Sequence, residues 1–282
     1  MKKLFALVLA LMMVMACFAA CGTTNNNAAD NGNKTNDSAP TDPKKEVITV
    51  GYTLYDPMNY EDENGELIGF DTELAKAVFG NMGYEVNFQL IDWNAKYTDL
   101  ESGAIDCVWN GFTRNCDDNN DGIARAEKVD FSYDYMENRQ VVVVKAGSGI
   151  ASAADLAGKS GGAENGSAGE SYANKFEDVM MTGYDYQTTA LMELNSGVID
   201  FAVLDAQLAK SYCGKGDYAN LQIVEELSSD VEYYAIGFKK GSDLTAKVNA
   251  ELEKMAADGT IKTLAEKYGV ANSTITDFSD QK

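Results

Sequence analysis

The sequence predicts an α/β fold of two similar lobes joined by two crossings of the chain. Three observations predict it. The heptad Leu-x-Ser-Gly-x-Ile-Asp occurs twice, as LESGAID over Leu100–Asp106 and as LNSGVID over Leu194–Asp200. Strand and helix patterns alternate along the body, as they do in a mostly parallel sheet. Two segments, near Met136–Asn138 and near Val231–Tyr233, carry the chain out of the first lobe and back. Such a pair of crossings makes a hinge whose closure a ligand can drive. The two heptads lie about ninety residues apart, the size of one small lobe. Each reads as a helix end, a turn at Ser-Gly and the start of a strand. Five residues past the repeated Asp, the strands CVWNG and FAVLD reach their carboxyl ends and present Gly111 and Asp205. Ligands of open α/β sheets bind outside those ends.

The elements follow in order. VITVGYTL, from Val47, reads as a buried first strand that Tyr55, Asp56, Pro57 and Met58 break. Asn64-Gly65-Glu66 is a turn between two short segments. Asp71 stands where an N-cap belongs and Gly83 where the helix DTELAKAVFGNMG stops, with Leu74, Ala77 and Val78 on one apolar face. YEVNFQLI is a strand, followed by Trp93 and a helix ending at Ser102-Gly103. The four consecutive Val of RQVVVVKAG read as a fully buried strand leaving the first lobe. ASAADLAGKSGG is a helical turn and a short strand into Glu164, and SAGESYANKFED is the next helix. TGYDYQTTALMELNSG leads to the second heptad. VEYYAIGFKKGSDL reads as a strand returning to lobe one, and the tail DLTAKVNAELEKMAADGTIKTLAEKYG as helix with stops at Gly259 and Gly269.

The ends and the composition bound the function. Met1, Lys2 and Lys3 precede the apolar run LFALVLALMMVMACFAA, which stops at Cys21. That is a secretory signal over 1–20 rather than fold. Ala19-Ala20-Cys21 resembles the bacterial lipoprotein signal, in which the Cys is lipidated, although Phe18 departs from the usual Leu or Val. From 21 to 45 the chain is polar and cannot bury enough surface to fold. As a tether it would reach about 25–30 Å. The rest divides into lobe 1, residues 46–137 with 233–282, and lobe 2, residues 138–232.

Formal charge is −21, and losing Lys2 and Lys3 with the signal makes it more negative. Such a body repels phosphates, which argues against nucleic acid as a partner. The chain has no His, so His-based triads, bases and metal sites are excluded. Cys107, Cys116 and Cys213 are left after processing; Cys107 reads as a buried apolar thiol, with a bridge to Cys116 the alternative. Asp117, Asn119, Asp121 and Gly122 fit the first positions of a calcium loop, but its closing Glu is missing, and a solvated polar loop is the better reading. No metal and no cofactor are expected.

Six ordered blocks carry a resemblance: GELIGFDTELAKAV, LESGAID with NGFT, VDFSYDY, ADLAGK, the NGS–GE loop and GSDL-VN-EL-DGTI-YG. From Ile48 to Val270 the chain resembles the solute-binding proteins of bacterial ABC transporters for polar amino acids. The resemblance implies the periplasmic-binding-protein-like type II fold, with two α/β lobes closing on one amino acid. It also implies a permease in the membrane as partner, a monomer, and a lipid-anchored place on the extracytoplasmic face of the cell membrane.

Site residues carry over from the family by position. Asn110, Gly111 and Thr113 match the loop that holds the ligand's ammonium and carboxylate. Gly166 and Ser167 match the pair that donates backbone N–H to the carboxylate. Ser167 to Glu170 also reads as a capping box on its own, so a helix N-terminus begins there and favours an anion. Asp205 matches the acid that pairs with the ammonium. Tyr55, Met58 and Trp93 match the walls of the side-chain pocket. The family's carboxylate-binding Arg falls on Arg125 when counted back from Asp130-Phe131-Ser132, and nearer Arg114 when counted forward from Thr113. An insertion separates the two anchors; Arg125 is the choice. The expected activity is binding without chemistry. The alternatives are an enzyme on the same fold, of the cyclohexadienyl dehydratase kind, and a surface sensor. No residue matches a clear acidic partner for a basic ligand side chain, so a neutral or polar amino acid is mildly preferred.

Overall fold

The computed structural model describes residues 46–118 and 122–282, all within one unit that runs Lys44–Lys282. The expected signal, tether and Cys21 lie outside these residues, as do Asn119 and Asp121 of the polar loop. No helix among the described residues is long and apolar enough to cross a membrane.

In chain order the elements are β1 (Val47–Tyr52), β2 (Tyr60–Glu61), β3 (Leu67–Ile68), α1 (Phe70–Asn81), β4 (Glu85–Leu90), α2 (Lys96–Ser102), β5 (Cys107–Val108), α3 (Arg125–Lys128), β6 (Asp130–Phe131) and β7 (Met136–Asn138). Then come β8 (Gln140–Lys145), β9 (Ser160–Glu164), α4 (Ala168–Ala173), β10 (Met180–Tyr184), α5 (Gln187–Ser196), β11 (Phe201–Asp205), α6 (Ala206–Tyr212) and β12 (Leu221–Ser228). The chain ends with β13 (Glu232–Tyr234), β14 (Gly237–Phe238), α7 (Leu244–Ala257) and α8 (Thr260–Lys267).

Two five-stranded sheets result, ordered β4-β1-β5-β14-β6 and β10-β9-β11-β8-β12. Their strand orders and directions correspond, although β8 precedes the other strands of its sheet in the chain and β14 follows those of its own. In each, the second strand, β1 or β9, runs parallel to both neighbours. The fourth strand, β14 or β8, is antiparallel to the third. Each sheet thus borrows its antiparallel strand from beyond a crossing. The crossings themselves, β7 and β13, pair antiparallel with Glu232 opposite Asn138. The molecule is a two-lobed α/β protein joined by β7 and β13.

The repeated heptads explain the likeness locally. α2 ends at Gly103 and α5 at Gly197, both with positive φ (75° and 88°), the left-handed cap that glycine adopts without a Cβ penalty. Ile105 and Ile199 then turn inward and are buried. The repeated acids stitch the heptad to the neighbouring strand. Asp106 accepts the Thr49 N–H at 2.7 Å while its own N–H donates to the Thr49 carbonyl at 2.8 Å. Asp200 does the same with Ser160, at 2.9 and 2.8 Å. Apolar burial fills both lobes: Val142, Val144, Leu156 and Phe201 in one, Val50, Leu74, Phe79 and Trp109 in the other, all fully buried.

Several sequence expectations need correction. Asp71 is not the N-cap of α1; that place is taken by Gly69, and Asp71 lies in the first turn, fully buried. CVWNG is strand only at Cys107–Val108, and VEYYAIGFKKGSDL divides into β13 and β14. The helix expected over SAGESYANKFED covers only Ala168–Ala173, whereas the stop expected at Gly259 does divide α7 from α8. Cys107, Cys116 and Cys213 are all free thiols, so no Cys107–Cys116 bridge forms.

Candidate functional site

Residues of both sheets meet at a small, closed cavity of about 10 Å³, lined by Tyr55, Trp93, Asn110, Gly111, Thr113 and Arg125 from one side. Glu164, Ser167, Ala168, Gln187 and Asp205 line the other. In this closed arrangement that is about the room of a single water. The two positions that follow the repeated heptads, Gly111 and Asp205, both reach it.

Asp205 ends β11 and is 8% exposed. It stands at the N-cap of α6, but its side chain makes no capping bond; its carboxylate accepts from the amides of Asn138 and Gln140, each at 2.6 Å, and from that of Gln187. Its backbone N–H donates to Gln187 at 2.8 Å, so the two residues clasp each other. Beside it, Glu232 of β13 accepts from the same Asn138 and Gln140 amides at 2.6 and 2.7 Å, and from the Thr113 hydroxyl at 3.0 Å. Two buried acids therefore share two neutral donors. Burial raises the pKa of both, and the Asp205 charge pushes Glu232 up further. Without a cation beside it, the pair favours keeping a proton.

Arg125 opens α3 and is 1% exposed. Its guanidinium lies over the Phe112 ring, 5.1 Å from the centroid. It donates from Nε to Asp118 at 2.8 Å, from Nη1 to the Thr113 carbonyl at 3.0 Å and from Nη2 to the Gly166 carbonyl at 3.2 Å. An arginine has five N–H donors, so one N–H on each terminal nitrogen is left for an anion in the cavity. Burial alone would raise Asp118, but Arg125, Lys128, Tyr97 and Lys96 together outweigh it and hold Asp118 down at about 2. Arg114, by contrast, is spent outside the cavity. It forms a two-pronged ion pair with Asp134, both contacts at 2.6 Å, and its side chain is 37% exposed. The structure brings Arg125, and not Arg114, to the site.

Ser167 accepts the Glu170 N–H at 3.0 Å and so caps α4. The return contact of the expected capping box goes elsewhere: Glu170 accepts from the Gly166 N–H at 2.8 Å. Gly166 consequently offers the cavity no free N–H, and it is not among the lining residues. It serves instead through its carbonyl, which takes Arg125 and Lys96 (3.2 Å each) across the seam. Lys96 is 2% exposed, and burial first, then Arg125, lowers its pKa to about 7.

Gly111 has φ +56°, and a Cβ there would stand 2.6 Å from the Tyr55 ring. Only glycine lets the loop pass beneath that wall. The buried Asp71 accepts the Gly111 N–H and the Tyr135 hydroxyl at 2.8 Å each, so it holds the loop from behind. Asn110 uses its side chain on the scaffold, bonding Thr53 and Asn59 at 2.7 Å. Tyr55 and Tyr234 join their hydroxyls at 2.6 Å. Trp93 packs edge-on against Phe112, with ring centroids 5.2 Å apart.

Of the sequence-predicted site residues, Tyr55, Trp93, Asn110, Gly111, Thr113, Arg125, Ser167 and Asp205 line the cavity. Met58 does not; it is fully buried in the core with Phe70 and Leu74, because the chain turns inward after Tyr55. Sequence reasoning missed Glu164, Ala168 and Gln187. Glu164 carried a usable signal: like Asp205, it is an acid at the carboxyl end of a strand.

The chain matches, over residues 48–271, the model of the bacterial extracellular solute-binding proteins, family 3. It is 30% identical over 275 residues to the arginine-binding extracellular protein ArtP of Bacillus subtilis (strain 168), covering 95% of this chain and 98% of that protein. It is also 30% identical over 267 residues to the L-cystine-binding protein TcyA of the same organism, with 93% and 96% covered. The fold superposes on a solved ancestral arginine-binding protein bound to arginine with a TM-score of 0.72 and 35% identity, covering 79% of this chain and 98% of that one.

Proposed function

We infer function from kinship and cavity together: the chain belongs to the bacterial extracellular solute-binding proteins, family 3. The reading is capture of one amino acid for import by an ABC transporter, by binding alone. One observation carries it. A buried acid from one lobe, Asp205, and a buried arginine from the other, Arg125, line a single small cavity. A zwitterion has the two charges that this pair lacks. Its ammonium meets Asp205, with Glu232 behind. Its carboxylate meets the two remaining Arg125 donors and the first turn of α4 at Ser167 and Ala168. Tyr55 and Trp93 wall the side chain, bringing contact area at low entropic cost. Because groups of both lobes hold one molecule, binding favours closure about β7 and β13. The relatives' ligands differ, arginine for one and cystine for another, so kinship alone leaves the ligand open.

In the same reading, 1–20 is a signal peptide, Cys21 carries lipid and 21–45 tethers the two-lobed body, divided at 137/138 and 232/233, near a membrane permease. A tether of that kind raises the local concentration of binder at its partner. The test is a thermal-shift screen of the amino acids followed by calorimetry. A bound ligand raises the melting temperature, and mass spectrometry recovers it unaltered. Absence of any amino acid that stabilises the chain defeats the reading; recovery of a chemically changed ligand replaces it with an enzyme.

A further inference from the structure

We propose that Glu164 selects an amino acid with a cationic side chain. This rests on the amino-acid-binding reading above and narrows it to a ligand class. Glu164 ends β9, lines the cavity and is 4% exposed. Among the described residues, no N–H or O–H donates to its carboxylate and no lysine or arginine forms an ion pair with it. The neighbouring acids differ in this. Asp205 accepts three side-chain amides, Glu232 accepts Asn138, Gln140 and Thr113, and Asp118 is paired with Arg125 and Lys128. The nearby ammonium of Lys96 donates instead to the carbonyls of Trp93 and Gly166, at 3.1 and 3.2 Å.

An ionised carboxylate taken out of water without donors is costly. Burial first, and the Asp205 charge next, push Glu164 well above the usual carboxylate range, while Lys96 and Arg125 oppose the shift. Gln187, on the same cavity wall, turns its amide to the Asp205 carboxylate and its oxygen to the Asp205 N–H, and does not donate to Glu164. With the ligand's backbone charges taken by Asp205 and Arg125, its side chain runs along the wall that includes Glu164. A guanidinium or ammonium there supplies the donors and the charge that the wall lacks. A neutral side chain leaves the carboxylate unpaired or protonated, and charge-assisted hydrogen bonds are about twice as strong as neutral ones.

Calorimetry on the full chain with L-arginine against L-citrulline, and L-lysine against L-norleucine, compares ligands of similar shape with and without the charge. At least one cationic ligand is expected to bind about 30-fold or more tightly than its neutral counterpart at pH 7. Glu164→Gln is expected to reduce that ratio to about threefold or less. Neutral ligands that bind as well as cationic ones in the unsubstituted chain overturn the proposal and leave amino-acid binding standing. A preserved ratio in folded E164Q overturns the role of Glu164. If E164Q does not fold, the ratio in the unsubstituted chain decides. Failure of every amino acid to bind is a different result, and defeats the broader reading instead.

Discussion

At the scale of single residues, the charges that face the cavity are held before any ligand arrives. Asp205 is fixed by three amides and Arg125 by two carbonyls and Asp118. Preorganised groups of this kind lose little entropy on binding. Replacing Asp205 by Ala leaves the ligand ammonium desolvated without its counter-charge. The expected loss is about 2–5 kcal/mol of affinity, read by calorimetry; an unchanged dissociation constant removes Asp205 from the site. The two arginines give a sharper contrast. Arg125→Ala should weaken binding by about 100-fold or more, whereas Arg114→Ala, whose partner Asp134 lies outside the cavity, should stay within about threefold. Equal effects of the two substitutions would contradict the placement. The count back from the VDFS block led to Arg125, which lines the cavity, whereas the count forward across the insertion led to Arg114, which does not. Met58 had only proximity in sequence to Tyr55, and one turn of backbone sends it into the core.

At the scale of elements, the heptads show what repetition in sequence can and cannot reveal. The turn at Ser-Gly and the buried Ile were legible, because a left-handed cap and an inward apolar residue have local signatures. The stitch made by the repeated Asp was not, since its partners Thr49 and Ser160 are supplied by strands 57 and 40 residues away. Asp71 was misread for the same reason. An acid at a helix start is an N-cap by local rules, but here Gly69 takes the cap and the acid turns inward to Gly111 and Tyr135. Non-local partners decide such positions, and one sequence does not display them. Loss of a stitch leaves a strand N–H unpaired. Asp106→Ala is therefore expected to cost about 1–3 kcal/mol of stability, and Asp200→Ala about 1 kcal/mol or less, because its contact is exposed to water that can replace it. Denaturant midpoints should fall in that order at constant slope; a larger loss at Asp200 would refute the account.

At the scale of the whole molecule, closure gathers acids that the chain cannot titrate away with histidine. A protein with no His ordinarily has a flat stability profile between pH 5 and 8. Here the buried carboxylates break that flatness. Burial raises Asp71 to about 7, although Tyr135 and Gly111 oppose it, and burial likewise raises Asp205, Glu232 and Glu164. In the unfolded chain these groups lose their protons near pH 4. Between about 4 and about 7 the folded state then holds protons that the unfolded state has released. Stability of the ligand-free protein must fall as pH rises through that window. Groups with lowered values, such as Asp118 at about 2, act only below it. Lys96, brought down to about 7 chiefly by burial, acts above it and in the opposite sense. The expected decline from pH 5 to pH 7 is on the order of 2 kcal/mol, measured by chemical denaturation without ligand. Asp71→Asn should reduce it, because the amide oxygen can keep both hydrogen bonds and carries no charge to desolvate. A saturating ligand should reduce it as well, because an ammonium beside Asp205 lets that acid ionise without penalty. Stability that rises from pH 5 to pH 7 in the ligand-free chain would show that these carboxylates are not buried together.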